Sequence, residues 1–170
     1  MHWNKSLIPV LILMMACSPQ KVDDNSTGEI LKALEPGDFR GVNMGDLPDE
    51  VMSVEGKNYV YALPDELTYR IPLDQQDSTW YEITYNFNEE GLYDIMLEIY
   101  PKDDSQRVAL ADDFGKLYQQ RYGTPAHDGN YLKWKVMTAK NGRIVRIVMN
   151  DSLEKNGIPY LKINFNEYNR

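Results

Sequence analysis

The chain has 170 residues, 42% of them apolar, enough to bury the core of one ordinary domain and too many for disorder throughout. Lys and Arg number 18 against 26 Asp and Glu, and the net charge of −8 disfavours nucleic acid and anionic lipid heads as direct partners of the folded part. A single cysteine excludes an intramolecular disulfide and a thiolate metal cluster.

From the amino terminus, Lys5 precedes an apolar run from Leu7 to Met15. A bilayer span needs about 20 such residues, so this shorter run reads as the apolar centre of a secretory signal. Small Ala16 stands directly before the lone Cys17. The stretch Leu13-Met14-Met15-Ala16-Cys17 resembles the lipobox of bacterial lipoproteins, with Met14 where Leu is usual. That resemblance implies a signal peptide over residues 1–16, cleavage before Cys17, a diacylglycerol on its thiol and further acylation of the new amino terminus. Two or more acyl chains hold a protein on a membrane stably, at about 0.8 kcal/mol per buried methylene. Ser18 resembles signals that sort lipoproteins to the outer membrane, and Gln20-Lys21-Val22-Asp23-Asp24 is similar to the acidic export tags of surface lipoproteins. Residues 18–28 are polar and turn-rich, as a flexible tether would be. Ile30, Leu31 and Leu34 make one short helical turn before Pro36-Gly37 stops it, so residues 17–37 are expected to form the lipidated tether and 38–170 a single domain.

The domain begins with helix punctuation: Asp46 as N-cap, Pro48 in the first turn, then Asp49 and Glu50. Leu47, Val51 and Val54 share one face and Gly56 ends the element. The period then switches to two. Tyr59, Tyr61 and Leu63 alternate with Val60 and Ala62, and Tyr69, Ile71 and Leu73 with Arg70 and Pro72, where the proline predicts an edge strand. Tyr81, Ile83, Tyr85 and Phe87 form the clearest strand. A turn at Glu89-Glu90-Gly91 leads into Tyr93, Ile95, Leu97 and Ile99. A second helix, capped by Asp104 or Ser105, carries Leu110, Phe114, Leu117 and Tyr118 and stops at Gly123 and Pro125. Three strands follow, through Leu132, Trp134 and Val136, through Val145, Ile147 and Met149, and through Leu161, Ile163 and Phe165. Asn141-Gly142 marks a type I′ hairpin between the first two. The expected fold is α+β, an antiparallel sheet of about seven strands with two helices packed on one face.

Phe39 to Val51, with its Val42-Asn43-Met44-Gly45 lead into a capped helix, resembles small envelope lipoproteins. These include the small lipoprotein of the outer-membrane assembly machine and domains like the beta-lactamase inhibitor protein. Phe114 to Gly123, followed by Thr124-Pro125 and Tyr131 to Trp134, is similar to the same pattern. The resemblance implies two divergent αβ units, each ending its helix at a glycine, Gly56 or Gly123. Those families usually place two helices before the strands of each unit, whereas one per unit is read here.

Few residues offer chemistry. His127 sits in the turn-like Ala126-His127-Asp128-Gly129-Asn130 and reads as a solvated loop residue. There is no Gly-x-Ser-x-Gly elbow, calcium loop or phosphate-cradling glycine loop, so no catalytic residue, metal or cofactor is assigned. The adjacent carboxylates Asp103-Asp104, Asp112-Asp113 and Glu89-Glu90 have structural places as a cap, an exposed helix face and a hairpin turn. If Ile83 and Tyr85 face the helices, the opposite sheet face carries Tyr100, Tyr131 and Tyr160, aromatics with polar tips suited to protein or glycan contacts. The expectation is a non-enzymatic bacterial lipoprotein, held on the outer membrane through lipid on Cys17, whose domain contacts a protein or glycan partner of the envelope. A second expectation is an inhibitor-like module that blocks an envelope hydrolase with a loop at 63–68 or 124–130. A third is a hydrolase using carboxylates.

Overall fold

A computed structural model describes residues 38–72, 79–138 and 141–168. The expected signal peptide, Cys17, the tether with its Ile30–Leu34 turn, and Leu73 lie outside the described residues. The elements are α1 (Pro48–Glu55), β1 (Tyr61–Leu63), β2 (Glu66–Pro72), β3 (Trp80–Asn88), β4 (Gly91–Tyr100), α2 (Asp104–Tyr122), β5 (Ala126–Asp128), β6 (Tyr131–Met137), β7 (Ile144–Lys155) and β8 (Ile158–Glu167). All eight strands join one antiparallel sheet in the order β1-β2-β3-β4-β8-β7-β6-β5. Each helix thus leads into a four-stranded meander, and the two meanders meet through their last strands, β4 and β8.

The period of two makes one sheet face dry. Ile83, Tyr85, Ile95, Leu97, Ile147, Ile163 and Phe165 form a continuous core with Leu110, Phe114 and Tyr118 of α2 and Val51 of α1. A fully buried side chain of this size stabilises the fold by about 1.5–3 kcal/mol, so this face supplies most of the drive to fold. The fold is α+β with both helices packed against the sheet, as expected, with eight strands among the described residues rather than seven. The added strand is β5. It holds His127 in a short edge ladder with β6, where the sequence reads as a loop.

Several local expectations are corrected, each by a tertiary demand. Helix α1 has Leu47, not Asp46, at its N-cap. Leu47 has no side-chain acceptor, so only the Glu50 half of a capping box forms, its carboxylate accepting the Leu47 N–H at 2.8 Å. Asp46 instead turns back and accepts the Asn43 N–H at 2.8 Å. Of the expected apolar stripe only Val51 is buried; Leu47 is 55% and Val54 48% exposed. Asp103 caps α2, accepting the Gln106 N–H at 2.8 Å, in place of Asp104 or Ser105.

The strands show the same effect. Pro72 ends β2, which is not an edge strand; β1 covers only Glu66 to Thr68, so the missing N–H of Pro72 falls beyond the reach of that neighbour. Asn86 pairs with Asp94 but Phe87 pairs with Leu92, leaving Tyr93 as the extra residue of a bulge. Leu92 rather than Tyr93 therefore enters the core. Gly91 is required here: its φ is +97°, and a Cβ would lie 2.5 Å from the Gly45 carbonyl oxygen. That close approach lets Gly45 N–H donate to Leu92 O and Leu92 N–H to Asp46 O, each at 2.8 Å, stitching the 43–46 turn to β4.

Asn141-Gly142 does not form a two-residue hairpin, because β6 ends at Met137 and β7 starts at Ile144. The Asn141 amide donates to the Met44 carbonyl at 2.6 Å, across the fold. The two-residue turn with both residues at positive φ occurs at Asn156-Gly157, φ +57° and +76°, between β7 and β8.

Candidate binding surface on the open sheet face

The sheet face away from the helices is set by register. One row across it runs Glu66, Asn86, Asp94, Asn166, Arg146 and Lys135. The next runs Tyr61, Thr68, Thr84, Met96, Asn164, Val148 and Lys133. A third runs Arg70, Glu82, Glu98, Lys162, Asn150 and Tyr131. The face is mostly polar, with Met96 and Val148 in its middle row, as a solvated antiparallel sheet allows.

Aromatic rings gather at one end. Trp80 stacks on Tyr100 at 5.2 Å between ring centroids, and Tyr100 on Tyr160 at 5.8 Å with planes 19° apart. The Arg70 guanidinium lies 5.5 Å over the Trp80 ring and is itself paired with Glu82 through Nε at 2.8 Å. This strip crosses β3, β4 and β8. Its middle member, Tyr100, is only 7% exposed, and its hydroxyl donates to Glu98 at 2.8 Å. Tyr100 was expected as a contact residue; sandwiched between two rings, it supports Tyr160 and offers little surface itself.

Beside the strip lies an open depression of about 370 Å³ lined by Tyr131, Val148, Asn150, Tyr160, Lys162, Asn164 and Asn166. Two of the three expected tyrosines, Tyr131 and Tyr160, therefore line one concavity. A register shift in β7 between Asn150 and Leu153 lies at its rim, and the Asn150 side-chain Oδ1 accepts the Ser152 N–H at 3.0 Å within that bulge. Tyr131 is 42% exposed; Lys133 Nζ sits 5.8 Å from its ring centre and pairs with Asp128.

Next to the depression, Asp94 accepts from the Asn86 amide at 2.9 Å and the Asn164 amide at 2.6 Å. Burial raises its carboxyl above the ordinary aspartate value, opposed by these two hydrogen bonds and by the charge of Lys162. Lys162 Nζ stands 3.7 Å from Glu98. The arrangement can orient a polar ligand through fixed amide and carboxylate groups.

The helix side carries a polar cluster that sequence reading missed. Arg40, at φ +53°, makes a two-pronged ion pair with Glu55, Nε to Oε1 at 2.8 Å and Nη2 to Oε2 at 3.1 Å. Arg40 Nη1 also donates to the Tyr81 hydroxyl at 2.9 Å, and the Tyr85 hydroxyl donates to Glu55. Burial, and then the Glu55 charge, push the Tyr85 hydroxyl well above its ordinary value, so it stays protonated. The available signal was the tyrosines at inward positions of β3, whose hydroxyls require partners once buried.

No family model matches the chain, and neither a curated protein nor a solved structure matches it.

The other sequence candidates remain scattered. His127 is exposed on β5. Asp104 pairs with Arg107 at 2.8 Å and Asp112 with Lys116 one turn on, as surface helix pairs do. Glu90 approaches Arg143 at 3.9 Å. Among the described residues no group of three or more His, Cys, Asp or Glu could hold a metal, and no helix is long and apolar enough to cross a membrane. Residues 66–68 of the expected inhibitory loop belong to β2, and residues 126–128 of the other to β5, so only the tips at 64–65 and 129–130 are turns.

Proposed function

We propose that this chain is a non-enzymatic protein of the bacterial envelope, anchored on the outer membrane by lipid on Cys17, whose open sheet face binds a protein or glycan partner. The observation that carries the binding reading is the depression between Tyr131 and Tyr160, set beside a stack of aromatic rings on a mostly polar face. Rings held rigid by stacking lose little conformational entropy on binding and present apolar surface with a polar tip. The anchor reading rests on the lone cysteine after Met15 and Ala16, with a polar tract following it.

The test uses the lipidated protein in native envelopes. Wild type and Cys17→Ala are fractionated, and partners are recovered by cross-linking from wild type and from Tyr160→Ala. The expected result is release of Cys17→Ala from the membrane and a partner that is lost with Tyr160→Ala. Membrane retention of Cys17→Ala refutes the anchor, and identical recovery from Tyr160→Ala refutes the surface.

A further inference from the structure

The depression has a hydrogen-bonding pattern more specific than its shape. Each of its three amides is fixed by one end. Asn150 Oδ1 accepts from Ser152, N–H at 3.0 Å and Oγ at 3.1 Å. Asn164 Nδ2 donates to Asp94 at 2.6 Å, and Asn166 Oδ1 accepts from Arg146 Nε at 3.2 Å. The hydrogen bonds among the described residues thus leave the opposite ends over: an NH2 on Asn150, a carbonyl on Asn164 and an NH2 on Asn166. Fixed donors and acceptors alternate along one wall, with their orientation already set.

Three ligand classes can be weighed against that wall. A protein side of matching area needs a desolvated apolar centre, and the lining supplies one aliphatic residue, Val148, among polar groups. An anionic ligand would need unspent positive charge, but Lys162 already stands 3.7 Å from Glu98 and the chain as a whole carries −8. An uncharged sugar fits both features. Its hydroxyls donate and accept at once, as the mixed amide ends require, and its C–H faces pack on aromatic rings such as Tyr131 and Tyr160. The volume of about 370 Å³ is at the small end of ligand pockets, which suits a short saccharide.

Resting on the reading of this face as a binding surface, we propose that the depression on β6, β7 and β8 binds an uncharged glycan. Its sugar rings lie against Tyr131 and Tyr160, and its hydroxyls bond to Asn150, Asn164 and Asn166. Lys133, paired with Asp128, holds its ammonium 5.8 Å from the Tyr131 ring centre and so helps to position that ring.

The full chain is titrated with gluco-, manno-, galacto- and chito-oligosaccharides, and with sulfated oligosaccharides as acidic controls, by calorimetry and protein-detected NMR. Saturable binding of at least one uncharged series is expected, with shifts at the Asn150, Asn164 and Asn166 side-chain amides. Tyr131→Ala weakens it about ten-fold, the scale of one lost ring contact, whereas Tyr131→Phe keeps it. Tyr131 is exposed, so neither variant endangers the fold. Absence of saturable binding across the uncharged series, tighter binding of the sulfated series, or indifference to Tyr131→Ala overturns the glycan proposal. Cross-linking from Tyr131 in native envelopes separates the two levels. A protein captured there, and lost with Tyr160→Ala, leaves the surface standing while the glycan falls; with neither sugar nor protein bound, both fall.

Discussion

Replacing Glu55 by Ala sets two physical effects against each other with opposite signs. Glu55 is the last residue of α1, where a carboxylate faces the negative end of the helix dipole. Removing it should gain about 0.3–1 kcal/mol by that rule. In the folded chain, however, its side chain is only 4% exposed and holds both prongs of Arg40, while also accepting from Tyr85. Breaking a buried pair on one side costs about 3–5 kcal/mol, because the remaining charge stays desolvated. Arg40 is 18% exposed and keeps its 2.9 Å bond to Tyr81, which places the cost near the lower end, about 3 kcal/mol. The net expectation is a loss of about 2–3 kcal/mol, a large share of the usual stability of a domain. Urea unfolding followed by tryptophan fluorescence should show the midpoint falling by about 1–2 M with an unchanged slope. Arg40→Met combined with Glu55→Leu should recover part of the loss, since no charge is then stranded. A midpoint that stays put or rises in Glu55→Ala would show that the dipole governs and the pair contributes nothing, and the reasoning would fail.

Two further outcomes can be checked independently. The Tyr118 hydroxyl is buried against Phe114, Trp134 and Phe165 and has no hydrogen-bond partner among the described residues, so Tyr118→Phe should hold or raise stability by about 1 kcal/mol in the same urea assay; a loss beyond 1 kcal/mol would mean the hydroxyl is bonded after all. The Asp94 carboxyl, raised above its unfolded value by burial, binds its proton more tightly in the folded state. Its stabilising contribution is therefore complete below the unfolded value and is lost as pH rises through the folded one. Carboxyl carbon NMR should find its midpoint above the ordinary aspartate value of about 3.9, and a midpoint at or below that value contradicts the burial argument.

Much of the fold could be read directly from residues, because a sheet with one dry face imposes a period of two that hydrophobic side chains must obey. Ile83, Tyr85, Ile95, Leu97, Ile147 and Phe165 all reach the core from alternation alone. The helix-ending glycines were equally legible: Gly56 and Gly123 both take φ of +84°, a region glycine enters without strain. Of the candidate surface, alternation likewise assigned Tyr131 and Tyr160 to the face away from the helices. Their convergence on one depression depends on pairing between strands far apart in the chain, and on the extra residue of the β7 bulge.

The amino-acid sequence by itself determined the dry face of the central strands, where helices stop, and that one thiol stands apart after an apolar run. Each of these follows from a local rule acting over a few residues. Tertiary structure decided what each ambiguous polar group does. Asn141-Gly142 carries the same turn signature as Asn156-Gly157, yet the Asn141 amide is drawn to the Met44 carbonyl and only the second pair makes the two-residue turn. Glu55, an unfavourable helix end by local rules, becomes the partner of Arg40, and Tyr100, one of three similar tyrosines, is buried between Trp80 and Tyr160. A buried donor or acceptor must find a partner wherever the chain brings one, and that partner's sequence distance leaves no trace in the residues alongside it.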